Sequence, residues 1–425
     1  MSTTEAVPET NTDPQAPSTE DTQVVNGASS HAKRDTSRPS LAKPDPETLR
    51  RACLMLAPAL IYLGIRELGL LCLAWMSEHH NVSMVDALAS WDGEWYLGIA
   101  AGGYDGVPEG LVDAYGNRTA ETPLAFFPGY PTLIRWLEGM DGAGGTGFAG
   151  AAIAVSIVAG VFCAYALARM GELVAGGSAR AGYALVALFA ASPMGIVLSM
   201  AYSEALFCAL AAWALVGVLR RNWLQAGLCC AGAGLVRPTA AALVLAVGLA
   251  ALYAVTTKRD GWRAVAGGLL APAGLLGYLG WVAARTGDLG GYFALQQRGW
   301  DSQFDGGLAT ISFTIDTLLS ARSILEVGTV ALIALFVALV VVGFTRRLEW
   351  PLLTYGAMAL LMDIGSNGMM NSKARLLIPA FTLLVPVAVA LAKRRPVTMV
   401  VTLSAVAVVG SWFGAYSLTA WQYAI

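Results

Sequence analysis

From about residue 52 to its C-terminus, the chain alternates long apolar runs with short polar stretches. The runs are near the roughly 20 residues that an α-helix needs to cross the hydrocarbon core of a bilayer. This pattern predicts an all-α polytopic membrane protein with about eleven spans in a single transmembrane domain, residues 52–425. The spans are predicted near residues 52–76, 148–168, 181–199, 203–219, 223–236, 238–256, 262–284, 325–345, 349–366, 374–392 and 397–418.

Composition agrees with this class of fold, because 56% of the residues are hydrophobic and 13% are charged, whereas roughly 25% are charged in soluble domains. The six cysteines fall inside apolar runs without the spacing of metal ligands, so we interpret them as small buried apolar side chains. The sequence has no basic stretch typical of nucleic-acid binding, and we expect no nucleic-acid partner.

Residues 1–51 differ from the rest of the chain, because they are rich in Ser, Thr, Pro, Glu and Asp and hold almost no large apolar side chains. Such a segment cannot bury enough apolar surface to offset the entropy lost on ordering, so we predict a disordered tail. The lysines and arginines before the first span predict a cytoplasmic location for this tail, since basic residues collect on that side of a membrane.

The loop after the first span, residues 77–147, carries ten acidic residues against two arginines, a net charge of −8. A loop of this kind is expected outside the cytoplasm. Basic turns recur at alternate ends of the later spans, which predicts a second large outer loop at residues 285–324 and an outer C-terminus. The expected location is the cell (plasma) membrane, with the polar outer turns converging on one face.

Two motifs in the first loop are rich in aromatic side chains, namely residues 91–96 (WDGEWY), which also hold two acids, and residues 126–131 (FFPGYP). Ser90 is a candidate N-cap, and the spacing of the apolar side chains after it predicts a short amphipathic helix lying in the membrane interface, tryptophans at headgroup depth. Asp92 would lie in its first turn, where an acid either complements the helix dipole or carries chemistry. The residues alone leave both interpretations open. The second motif fits an aromatic belt with prolines that end a re-entrant turn.

Three further sites place charged residues at the ends of predicted spans. Glu204 heads a span, which is an ordinary place for an exposed acid. Arg237 precedes Pro238 after a run that is short for a span, and a guanidinium there needs an acid or a phosphate as partner. Lys373 and Arg375 break the charge rule on the outer side, which favours a lipid-linked phosphate as their partner, with a miscounted topology or snorkelling side chains as the alternatives. Asp301, Asp305 and Asp363 are lesser candidates, the first two for sugar hydroxyls.

Several of these stretches together resemble the PIG-V-like mannosyltransferases, whose eukaryotic members add the second mannose of the GPI anchor. The similar blocks are residues 91–104, 125–131, 192–207, 236–238 and 373–381. The resemblance implies a GT-C type glycosyltransferase, a multi-span helical enzyme that uses a polyprenyl- or dolichyl-phosphate sugar on the outer face. In that class an acid of the first outer loop acts as the base, and Asp92 matches it. The tail and the Ala- and Gly-rich spans resemble bacterial, actinobacterial members.

The resulting hypothesis is an inverting transfer of mannose from a polyprenyl-phosphate sugar to a glycan, lipoglycan or glycoprotein acceptor, within membrane lipids. Asp92 is the expected catalytic base. The candidate substrate-binding residues are Glu94, Tyr96, Tyr130, Glu204, Arg237, Lys373 and Arg375. No cofactor and no metal site is expected, although residues 92–94 can bind a divalent ion weakly. A transporter or flippase of lipid-linked sugars is the alternative, and an inactive membrane scaffold is a third. Acids concentrated in one outer loop favour the enzyme over alternating access.

Overall fold

The computed structural model describes residues 45–141, 147–320 and 323–421. The predicted disordered tail therefore lies outside the described residues, apart from its last few positions. Residues Arg50–Ile425 form one compact unit. Within the described residues the secondary structure is helical, with an isolated bridge between Phe304 and Ser366 and no named strand.

Eighteen α-helices follow one another along the described chain. They are α1 (Pro46–His80), α2 (Met84–Ala89), α3 (Asp92–Gly102), α4 (Gly129–Asp141), α5 (Gly147–Leu173), α6 (Ala179–Ala190), α7 (Glu204–Leu219), α8 (Trp223–Gly234), α9 (Ala240–Thr256), α10 (Trp262–Leu270), α11 (Ala273–Thr286), α12 (Gly291–Trp300), α13 (Leu308–Ser320), α14 (Ile324–Thr345), α15 (Trp350–Ile364), α16 (Lys373–Leu376), α17 (Val385–Ala392) and α18 (Pro396–Thr419). Short 3₁₀ turns lie at Thr122–Ala125, Gly195–Ser199, Met370–Ser372 and Ile378–Leu384.

Among the described residues, five helical stretches are long and apolar enough to cross a membrane. They lie in α1, α5, α10–α11, α14 and α18. The pair Met370–Leu376 and Ile378–Ala392, bent by 49°, makes a sixth if it is one broken span. This confirms the prediction of a helical, multi-pass membrane protein. The other predicted spans fall on shorter apolar helices, so the number eleven stays a prediction.

The centre of the molecule is built from α5 to α9, whose facing sides are rich in alanine and glycine. Small residues let helix backbones approach closely in a membrane protein. At the contact of α5 with α6, a Cβ on Gly171 would lie 2.4 Å from Cα of Gly182. The six cysteines all carry free thiols, and Cys163, Cys208 and Cys230 are buried as predicted, whereas Cys53 is exposed.

The structure corrects the sequence-based description of α3. Ser90 is not its N-cap, because its Oγ donates to the carbonyl of Ala87 at the end of α2, and Trp91 takes the cap position instead. The position of the helix in the membrane interface stays a prediction, whereas Trp95 does not reach lipid headgroups as expected, since Trp95, Tyr96 and other α3 residues are about 95% buried inside the protein. The physical reason is that the two motifs of the first loop cover each other.

This mutual cover is aromatic. The ring of Trp95 stacks on Phe126 with 5.1 Å between centroids, and Tyr96 meets both Phe126 and Tyr130 edge to face. Phe127 is 2% exposed and packs on Tyr278 of α11. The second motif is therefore a buried aromatic cluster, and its interpretation as a belt at the lipid interface is wrong. Aromatic pairs in such geometries contribute beyond the area that they bury.

The first loop is joined to the helical core at Gly129, the first residue of α4. Its N–H donates to the carbonyl of Leu235 at 2.7 Å, in the predicted break between α8 and α9. A Cβ on Gly129 would lie 2.8 Å from the same carbonyl oxygen. Glycine is thus required for the backbone of the loop to reach the break that carries Arg237.

We predict that Gly129→Ala lowers the unfolding temperature in detergent, because the added methyl group pushes α4 away from Leu235. Overpacking of this kind costs about 1–3 kcal/mol. Gly139→Ala is the matched control in the same helix, since a Cβ there meets nothing within 4 Å and alanine is the better helix former. Equal unfolding temperatures for the two variants, measured by scanning fluorimetry, would contradict the role given to Gly129.

Candidate functional site

Four charged side chains from distant parts of the chain converge into what we call the ion network. Arg375 Nη1 lies 2.7 Å from Asp92 Oδ2. Glu204 Oε1 lies 2.7 Å from Arg237 Nη1 and 3.5 Å from Arg375 Nε. The charges alternate along the series Asp92, Arg375, Glu204, Arg237, so each neighbour has the opposite sign and the four formal charges cancel.

Different local structures present the four residues. Asp92 opens α3 directly after Trp91, whose backbone has φ 54° and ψ −113°, a strained conformation for a bulky residue. Glu204 is the first residue of α7. Both acids therefore also lie in the favourable field of a helix N-terminus. Arg237 lies in the break between α8 and α9, and Arg375 lies in the four-residue helix α16.

Burial is graded across the ion network. The side chain of Glu204 is 0% exposed, those of Arg375 and Arg237 are 8% and 9% exposed, and that of Asp92 is 26% exposed. The expectation of an exposed acid at Glu204 is therefore wrong, because two guanidinium groups enclose it. Asp92 is the member of the network that a molecule from outside can reach.

Hydroxyl groups extend the network beyond Arg237 through a chain of hydrogen bonds. Arg237 Nη1 donates to Ser203 Oγ at 3.1 Å, and Ser203 Oγ shares a hydrogen bond of 2.9 Å with the hydroxyl of Tyr96. Burial raises the pKa of Tyr96 to about 12, so its hydroxyl keeps its proton near neutral pH. The hydroxyl of Tyr130 is bonded to Ser156 Oγ at 2.8 Å, and its ring contacts Tyr96. Both predicted tyrosines thus belong to the support of the network.

The turn before Glu204 packs against Arg375, the end of α2 and the start of α3. The guanidinium carbon of Arg375 lies 5.0 Å from the ring centroid of Tyr202, a cation–π geometry. Ala201 N–H donates to the carbonyl of Leu88 at 2.8 Å, which ties this turn to the end of α2. A Cβ on Gly93 would lie 3.4 Å from the carbonyl oxygen of Ala201, so the start of α3 lies directly against the turn.

Lys373 lies two residues from Arg375 but has different partners. Its side chain is 2% exposed, and its Nζ donates to the carbonyls of Asp363 at 2.6 Å and Ser366 at 2.8 Å. The last carbonyls of a helix lack intrahelical donors, and Lys373 supplies them at the end of α15. Snorkelling to water is therefore excluded for this residue. Its contact with a phosphate stays a prediction.

The remaining predicted residues lie outside the ion network. Glu94 is exposed, two residues beyond Asp92. Asp305 accepts hydrogen bonds from the backbone N–H groups of Ala309 and Gly307, and these bonds lower its pKa. Asp305 therefore caps α13, and backbone donors rather than sugar hydroxyls occupy its carboxylate oxygens. Asp301 ends α12 in a left-handed conformation. Asp363 is 4% exposed, and neither of its carboxylate oxygens has a hydrogen-bond partner in the described residues.

Some residues of the site had no clear signal in the sequence. Ser203, Tyr202 and Ser156 are ordinary residues of apolar stretches, and adjacency to Glu204 was the only hint for the first two. Arg66 lies inside the first span and is 5% exposed, donating to the carbonyl of Gly195. An arginine within a span is costly unless it has such a partner, so this one was visible as an exception. Within the described residues, no three His, Cys, Asp or Glu side chains are grouped to hold a metal ion.

Comparisons of the chain with protein-family models and with curated proteins find no match. Membership of the PIG-V-like family accordingly stays a prediction from the motifs.

We predict that Glu204→Gln lowers the free energy of unfolding by about 3–5 kcal/mol, because two buried guanidinium groups lose the anion between them. Glu121→Gln is the control, since Glu121 pairs with Arg298 at 3.5 Å on the surface, where such a pair contributes about 0–1 kcal/mol. Denaturant unfolding in detergent measures both. A Glu204→Gln protein as stable as the control would mean that the network adds nothing to the fold.

We also predict that Lys373→Met destabilises the protein by about 1–3 kcal/mol, because the buried ammonium no longer donates to the carbonyls of Asp363 and Ser366. Lys393→Met serves as control, because Lys393 is exposed at the end of α17. The same unfolding measurement applies. Unchanged stability of Lys373→Met, together with a weaker affinity for a lipid phosphate, would assign Lys373 to ligand binding alone.

Proposed function

We propose that the protein is an inverting glycosyltransferase of the GT-C type in the cell membrane. It transfers mannose from a polyprenyl-phosphate donor to a glycan, lipoglycan or glycoprotein acceptor on the extracytoplasmic face. The observation that carries the proposal is the position of Asp92, a partly exposed carboxylate at the edge of a buried, charge-balanced ion network. Eleven spans and a cytoplasmic N-terminus belong to the same proposal.

The proposed reaction begins at Asp92. Arg375 holds Oδ2 and orients the carboxylate, and Oδ1 takes the proton from the acceptor hydroxyl. The acceptor oxygen attacks the anomeric carbon as the bond from that carbon to the phosphate oxygen breaks. The electron pair of that bond leaves on the phosphate, and the configuration at the anomeric carbon inverts. General-base catalysis of this kind contributes typically 10²- to 10⁴-fold.

Arg375 is the group that links the base to the leaving phosphate. A guanidinium has five N–H donors in a rigid plane. Arg375 donates from Nη1 to Asp92, and its Nε lies 3.5 Å from Glu204 Oε1 as an ion pair without a hydrogen bond in the described residues. Its remaining donors suit a phosphate oxygen, with which arginine forms bidentate contacts. Arg237 and Lys373 add positive charge behind it, already fixed by Glu204 and by two carbonyls. Charge held in place before the reaction stabilises the transition state without reorganisation.

The other predicted residues take supporting roles in this proposal. Tyr96 and Tyr130 position Ser203 and the turn before Glu204 rather than contact the sugar directly. Glu94, exposed beside Asp92, accepts hydrogen bonds from sugar hydroxyls. The mechanism calls for no metal ion, because guanidinium groups supply the positive charge that a phosphate leaving group needs.

A transporter of lipid-linked sugars is the second candidate function. It would use Arg375 and Arg237 to bind the same phosphate without a chemical step. The access of Asp92 favours the enzyme, because a binding site for an anion has no use for a carboxylate as its most exposed charge. A transporter also needs the site to open to both sides of the membrane.

We predict that Asp92→Asn lowers sugar transfer by 10²- to 10⁴-fold, since the amide cannot accept the proton. The assay uses purified protein in liposomes with radiolabelled polyprenyl-phosphate mannose and a lipoglycan fraction as acceptor. Glu109→Gln is the control, because Glu109 is an exposed acid of the same loop outside the ion network.

A full transfer rate for Asp92→Asn at normal protein levels would remove Asp92 as the base. If the unaltered protein gives no labelled product but moves the donor across the bilayer, the transporter is correct and the enzyme is not.

A further inference from the structure

We infer that α13, Leu308–Ser320, is a membrane-surface helix. It lies in the plane of the bilayer interface with its apolar side in lipid, at the end of the molecule next to Lys373. With 13 residues and a rise of 1.5 Å per residue, it is roughly 20 Å long. The hydrocarbon core of a bilayer is about 30 Å thick. The helix is shorter than this core, and the case for a surface position is made by its faces and its ends. The inference does not depend on the proposed function.

Three different faces run along α13. The first is a stripe of exposed aliphatic side chains, each between 50% and 83% exposed: Leu308, Ile311, Ile315, Leu318 and Leu319. Their spacing of three and four residues puts them on one side of the helix, as a stripe about 100° wide. Ser312, Asp316 and Ser320 form an exposed polar face beside it. Thr310 and Thr317 are buried against the protein.

The ends of α13 determine how the helix lies. At its beginning, Thr310 Oγ1 donates to the carbonyl of Ile364 at 2.7 Å, and the N–H groups of Asp305 and Gly306 donate to that of Gly365. At its end, Ser320 lies three residues before Ser323, the N-cap of α14. Since α14 and α15 are joined by a short turn at residues 346–349, Ile324 and Ile364 lie at the same end of this helix pair. The helix α13 therefore crosses the ends of the pair rather than running through the bilayer beside it.

Lipid is the occupant that suits this stripe. It continues into the exposed apolar side of α14, where Ile324 is 52% and Val327 45% exposed and the helix has the length and hydropathy of a span. Soluble surfaces rarely leave so many aliphatic side chains together in water. An apolar stripe beside a polar face is typical of a helix in the plane of the interface, and in α13 a carboxylate and hydroxyls form the polar face.

The position of α13 links lipid to the ion network. Its first turn is bonded to the residues that end α15, and Lys373 binds the carbonyls of the same segment at Asp363 and Ser366. Lys373 and Arg375 share α16. A helix resting on lipid thus supports the short helix that holds Arg375 against Asp92.

Nitroxide scanning in proteoliposomes tests the inference. Spin labels are attached to single-cysteine variants at Ile311, Ile315 and Leu318, and at Ser312 and Asp316 as controls, in a protein whose six native cysteines are replaced by alanine. We expect oxygen accessibility to exceed that of a nickel chelate at the three stripe positions, at depths of roughly 5–10 Å. The control positions should show the reverse. Stripe labels open to the nickel chelate, or closed to both reagents because protein covers them, would overturn the inference.

A second measurement keeps the test valid if the cysteine-free protein fails to fold. p-Benzoylphenylalanine is incorporated at Ile315 or at Ser312 in the protein with its own cysteines, in vesicles of phosphatidylglycerol and phosphatidylcholine. After irradiation, mass spectrometry should show phospholipid adducts several-fold more often for Ile315 than for Ser312. Equal yields at the two positions, or a cross-link from Ile315 to another protein chain, would refute lipid as the occupant.

Discussion

The structure depends on the burial of one carboxylate. Glu204 is fully enclosed, and a buried anion is costly unless opposite charges surround it. Arg237 and Arg375 meet this requirement, and both come from irregular backbone, the break between α8 and α9 and the short helix α16. Two interruptions of the helical bundle thus lie where these charges meet.

Two of the contacts that attach the first loop to this charged centre differ in character. Gly129 brings backbone against backbone at Leu235, and Asp92 pairs with Arg375. Between them, the aromatic side chains of the two motifs fill the space. As a result, α3 is held with its first turn over the ion network, and Asp92 is both fixed by a partner and open on one side.

Several charged residues serve structure and site together. Lys373 donates to the Asp363 carbonyl at the end of α15 and lies two residues before Arg375. Asp305 caps α13, the helix that we place on lipid. The segment from Asp363 to Ser366 accepts hydrogen bonds from Lys373 on one side and from residues at the start of α13 on the other. Hydrogen bonds therefore join α13, the end of α15 and α16 into one connected region.

The sequence alone determined the helical membrane fold and the break at Arg237, because apolar runs, prolines and misplaced charges act locally along the chain. It also marked Arg237 and Arg375 as charges that need partners, and it singled out Asp92 and Glu204 as candidates, although Glu204 was expected to be an ordinary exposed acid. It did not reveal that they are one another's partners, that Lys373 binds carbonyls, or that the tryptophan helix is enclosed. Those facts depend on contacts between residues up to 283 positions apart. Only the tertiary structure decides such contacts, since local patterns record that a charge must be neutralised and not which residue does it.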